Sequence, residues 1–151
     1  MSCKNYRLIE MQNDSLGAVA VNGLMPLGRV TRRIATCTGS GVPFQVTNSG
    51  ADTVQLTSKG FYNVLYNSTV AIGAAGSATL SLLVNGQSVY SVTETATAAG
   101  SINLTLVKCV KVCDNCASMS QNCPLDIQIQ LTGAAITGGS ATLRIDSCVN
   151  G

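Results

Sequence analysis

The residues with the most specific chemistry in this chain are its cysteines. There are seven. The number is odd, so an intramolecular disulfide set leaves at least one thiol over. Cys109, Cys113, Cys116 and Cys123 fall in one short stretch, and Cys113-Asp114-Asn115-Cys116 is a C-x-x-C. Four thiolates can hold zinc tetrahedrally, but zinc ribbons usually carry two spaced C-x-x-C pairs and this stretch carries one. A redox C-x-x-C opens a helix beside a βαβ unit, and no such pattern surrounds this one. Three states stay open for the cluster: thiols acting as small hydrophobes, a loop held by one or two disulfides, and a metal site. The expectation is that no cofactor is bound, with these four cysteines as the metal candidates.

Other catalytic parts are missing. The chain has no histidine, so Ser-His and Cys-His nucleophile pairs do not arise. Its seven carboxylates are spread singly along the sequence, whereas acid–base work needs two held together in a cleft. No phosphate-cradling glycine loop precedes a helix. An enzyme is not expected. Asn13-Asp14-Ser15, Asn67-Ser68-Thr69 and Asn103-Leu104-Thr105 match the glycosylation sequon. In a chain rich in Asn, Ser and Thr, chance accounts for them. Arg29, Arg32 and Arg33 are the basic residues suited to an acidic partner, although paired arginines also serve simply as a charged strand edge.

The elements that must carry these residues read as strands. In Phe61 to Ile72, Tyr62, Val64, Tyr66, Val70 and Ile72 share one face, with Asn63, Asn67 and Thr69 opposite. That is a period of two. Leu80, Leu82 and Val84 continue it, as do Ile102, Leu104, Leu106, Val110 and Val112. Leu125, Ile127, Ile129 and Leu131 form another such face, and Ala141, Leu143 and Ile145 close the chain. Asn85-Gly86 between two such runs predicts a tight hairpin, because both turn positions want positive φ. A surface excursion is expected from Asp114 to Asn122, before Pro124. No amphipathic helix of useful length is apparent. About eight to ten short strands at regular spacing predict an all-β sandwich.

Residues 1–36 carry more charge and a less regular pattern. The short runs Ala18 to Val21 and Arg29 to Ile34 are possible strands within them. The expected division is an N-terminal arm at 1–36, contributing at most a strand, and a sandwich at 37–151. Removing the arm is then expected to leave a folded β domain.

Composition narrows the partners. A net charge of +2 without clustered Lys or Arg lacks the electrostatic footprint of nucleic-acid binding. Apolar stretches are interrupted far short of the ~20 residues that span a bilayer, so no membrane association is expected. Met1 to Arg7 is not followed by an apolar h-region, so no secretory signal is expected and assembly in the cytoplasm is. Phe61 and Leu65 lie opposite Tyr62, Val64 and Tyr66. Large apolar groups on the second face of a sandwich strand need cover, and a closed trimer provides it.

The stretches Val42 to Asn48, Val54 to Val64 and Leu82 to Gly86, with Gly60 and Tyr62 as a Gly-x-Tyr strand start, resemble the jelly rolls of tumour necrosis factors and complement globular heads. Val21 to Gly28 and the Cys109–Cys123 region further resemble small jelly-roll proteins of phages and prophages. The resemblance implies a jelly roll over roughly residues 40 to 147, a homotrimer, and a place on a virion surface as capsid decoration or head fibre. The partner is then the major capsid protein or another virion protein. Phe61 and Leu65 are expected at the trimer interface, and Arg29, Arg32 and Arg33 at the capsid attachment. A receptor- or glycan-binding tip and a cysteine-based metal-binding protein are the alternatives.

Overall fold

The computed structural model describes residues 7–35, 44–46, 52–56, 60–112 and 125–147. They form ten strands: β1 (Arg7–Asn13), β2 (Arg29–Ala35), β3 (Phe44–Val46), β4 (Val54–Leu56), β5 (Gly60–Ile72), β6 (Gly76–Val84), β7 (Gln87–Ala96), β8 (Gly100–Val112), β9 (Leu125–Gly133) and β10 (Gly138–Ser147). Two five-stranded antiparallel sheets result, ordered β2-β1-β10-β5-β8 and β3-β4-β9-β6-β7. From β4 onward the chain passes repeatedly between the sheets, leaving only β6 and β7 as a sequential hairpin in that stretch. This is a jelly-roll sandwich.

Alternation explains the core. On β5, Tyr62, Val64, Tyr66, Ser68, Val70 and Ile72 are buried while the residues between them face out. Leu104, Leu106, Val110 and Val112 of β8, the even-spaced residues of β9 from Leu125 to Leu131, and Ala141, Leu143 and Ile145 of β10 complete the inner faces. The β6–β7 turn is the expected one. Asn85 and Gly86 take φ of 52° and 83°, which suits the twist of the flanking strands.

β7 differs from the other long strands because none of its residues is fully buried, although Val92 and Ala96 pack partly against the core. Besides its backbone ladder, three hydroxyl pairs tie it to β6: Ser77–Thr95 and Thr79–Thr93 at 2.7 Å, and Ser81–Ser91 at 2.8 Å. Cross-strand pairs of this kind each contribute up to about 1 kcal/mol.

The expected boundary at residue 36 is corrected by the packing. β1 lies between β2 and β10, inside the first sheet. Ile9, Met11, Leu16, Val19, Met25 and Leu27 all belong to the core. Between β1 and β2 the chain crosses to the second sheet, where Asn22 N–H donates to the Leu131 carbonyl and Met25 N–H to that of Ile129. Ala18 to Val21 is not a strand but makes a single bridge, Val19 to Ile136. Residues 7–35 are thus sandwich, while Arg29–Ala35 is the strand anticipated there.

Candidate functional site

The outward face of β5 and β8 carries the candidate site. Antiparallel register sets Leu65 opposite Val107, Asn63 opposite Cys109 and Phe61 opposite Lys111. Phe61 is 42% exposed, Leu65 37% and Val107 55%. Three large apolar side chains therefore stand on one outer surface, as the alternation predicts for Phe61 and Leu65. Val107 was missed. Its partnership with Leu65 depends on the β5–β8 register, which no local pattern encodes. The ammonium of Lys111 lies 5.5 Å from the Phe61 ring centroid, in cation–π range.

β8 is the edge of its sheet and runs beside β7, the edge of the other. Lys108 reaches across to within 5.7 Å of the Tyr90 ring centroid. Val89 and Tyr90 are exposed on this flank. Val84, Val89, Val110 and Leu125, with Lys108 and Lys111, line a shallow groove of about 180 Å³ there. An apolar ridge on a sheet face and an apolar groove on the flank thus occupy one region of the molecule.

The arginines lie on β2, at the opposite edge of the first sheet. Arg29 approaches Asp14 at 3.9 Å and Arg32 approaches Glu10 at 3.8 Å. Register puts Arg32 opposite Glu10 on the outer face, but Arg33 opposite the inward Ile9. The three do not form one patch. All three are exposed. Arg144 pairs with Asp146 at 3.6 Å on the same outer face.

Of the cysteine cluster, Cys109 is exposed on the outer face of β8. Cys113, Cys116 and Cys123 lie outside the described residues, as does the excursion from Asp114 to Asn122. Among the described residues no group of three or more metal-ligating side chains converges. Among the described residues the shifted titratable groups are core tyrosines. Burial pushes the Tyr66 phenol well above its ordinary value. Burial also raises Tyr62, partly offset by the charge and hydrogen bond of Arg7. Neither tyrosine faces a cleft.

The chain matches no family model and no curated protein. Solved structures do match. Murine APRIL at pH 5.0 superposes with a TM-score of 0.56 at 10% identity, covering 94% of this chain and 98% of that one. The same protein at pH 8.0 gives 0.53 at 10% identity, with the same coverage of 94% and 98%. The fold is a tumour necrosis factor-like jelly roll. PRD1 vertex protein P5, a phage protein, superposes with a TM-score of 0.51 at 18% identity, covering 93% of this chain and 96% of that one. These superpositions cover nearly the whole chain.

Proposed function

We propose that this protein is a phage virion structural protein, a homotrimeric capsid decoration or head fibre on the particle surface, and not an enzyme. The observation that carries the reading is the exposed ridge of Phe61, Leu65 and Val107 on a fold shared with a phage vertex protein. Burial of apolar surface drives association. A cyclic trimer uses a heterologous contact, in which one patch meets a different patch on the next subunit and the ring closes. The ridge on the β5–β8 face and the Val89–Tyr90 flank supply two unlike apolar surfaces for that contact. Such an arrangement covers Phe61 and Leu65 without requiring a self-complementary patch.

In this reading β2 remains free for the capsid. It lies at the far edge of the sheet from β8, so Arg29, Arg32 and Arg33 stay accessible when β5 and β8 are covered. Exchange of the Arg29 and Arg32 ion pairs for acidic groups of a capsid protein costs little, because exposed pairs contribute only about 0–1 kcal/mol. The test is immunogold labelling of purified virions with antibody to this chain. Multiple gold particles on the capsid exterior, lost with the triple variant R29E/R32E/R33E, are expected. Virions devoid of the protein overturn the proposal, and undiminished labelling of the triple variant overturns the role of the arginines.

A further inference from the structure

Beyond Leu65 and Val107 the same sheet face changes character. Register sets Gln12, Thr142, Asn67 and Thr105 side by side across β1, β10, β5 and β8. The next row holds Ser140, Thr69 and Asn103. Two of the sequons noticed in the sequence are therefore cross-strand neighbours, with Asn67 opposite Thr105 and Thr69 opposite Asn103. A cleft of about 140 Å³ opens over the β1, β10 and β5 part of these rows, with Asp14 among its lining residues and Ser68 and Ala141 alongside.

We propose that this cleft, with Gln12, Asp14, Asn67, Thr69 and Thr142 as its polar lining, binds a neutral saccharide. The function goes beyond the assembly role and does not depend on the oligomeric state.

The lining selects the ligand class. Its polar side chains are amides, hydroxyls and one carboxylate, with no lysine among them. No arginine lines it either; Arg29 is directed at Asp14, and Arg144, one outward row away on β10, is directed at Asp146. An anionic phosphate or uronate therefore meets a carboxylate with little cationic compensation. A lipid or aromatic ligand finds too little apolar wall. Neutral saccharides carry several hydroxyls that each donate and accept, and amide, hydroxyl and carboxylate groups together answer both. The three lining strands β1, β10 and β5 span about 10 Å and successive outward residues about 7 Å, dimensions suited to a short oligosaccharide.

The donors and acceptors are also held in place. Thr105 Oγ1 lies 3.0 Å from Asn67 Oδ1 and 3.0 Å from Asn103 Oδ1. Asn103 Nδ2 reaches Thr69 Oγ1 at 3.5 Å, and Gln12 Nε2 donates to Asp14 Oδ1. Side chains on strands, tied to one another, lose less freedom when a ligand arrives. The cleft is shallow and has no aromatic side chain in its lining, so an affinity on the order of millimolar is expected.

The test follows amide chemical shifts of the full chain during titration with neutral trisaccharides built from glucose, galactose, mannose and N-acetylglucosamine. Trigalacturonate serves as the anionic counterpart. At least one neutral sugar is expected to give saturable shifts confined to the strands around Asn67 and Thr142. The double variant N67A/T142V, checked for unchanged spectral dispersion, is expected to abolish them, and S91A on the other sheet is expected to retain them. No saturable shift with any neutral trisaccharide overturns the proposal. So do equal shifts with trigalacturonate, or shifts that persist in N67A/T142V. Solution mass is unaffected by the double variant in either event, which separates this test from that of the trimer.

Discussion

Tyr66 carries a hydroxyl into the core, and that hydroxyl finds no hydrogen-bond partner among the described residues. An unsatisfied buried donor costs about 1–3 kcal/mol. Tyr66→Phe is therefore expected to leave stability unchanged or to raise it by about 1 kcal/mol, read from urea unfolding midpoints. The same residue sets an alkaline limit. Burial holds the folded-state phenol above its ordinary value of 10.0. Above that pH the unfolded chain has released a proton that the folded chain retains, so stability falls as pH rises. It is fully present below about pH 10. Tyr66→Phe is expected to make the loss above that pH shallower, and equal slopes in both proteins would contradict this account. Gly139 works in the opposite sense. Its φ is +143°, and a Cβ there would sit 2.3 Å from the Thr69 carbonyl oxygen of the neighbouring strand. Gly139→Ala is expected to cost more than ~1 kcal/mol, measured by thermal melting.

At the scale of elements, what was legible follows from which strands have one wet face and one dry face. β5, β8, β9 and β10 show a clean period of two because each buries alternate residues. The Asn85-Gly86 hairpin was legible because its backbone conformation restricts the residues that fit. The N-terminal segment was not. Its core residues, among them Leu8, Ile9, Met11, Leu16 and Val19, follow no single period, since the chain passes from one sheet to the other between β1 and β2. Leu8 shows the difficulty most plainly, because register places it on the outer side, beside Asp146, yet it is buried. Two of the three ridge residues, Phe61 and Leu65, were legible. Val107 was not, because its neighbour Leu65 is 42 residues away in sequence and is fixed only by strand pairing. The packing replaces the expectation of a dispensable arm. Deletion of residues 1–36 removes β1 and β2 and opens the core, so the truncated chain is expected to lack a cooperative thermal transition. A folded truncated domain with native-like melting would show that these strands are accessory after all.

At the scale of the whole molecule, the two ends of one sheet face carry different surfaces. Phe61, Leu65 and Val107 are apolar, while Asn67, Thr69, Asn103 and Thr105 are polar, and both groups share β5 and β8. The proposed assembly and ligand-binding roles therefore use separate parts of one surface, and the proposed capsid attachment uses the arginine-bearing edge strand β2. The assembly proposal is the central one, and solution mass tests it most directly. Light scattering of the full chain at micromolar concentration is expected to give three times the 15.5 kDa chain mass. The double variant F61E/L65E places charge on side chains already exposed in the single subunit, so it is expected to keep its β-sheet circular dichroism and scatter as a monomer. A monomeric wild-type chain, or a trimer undisturbed by F61E/L65E, would contradict the account.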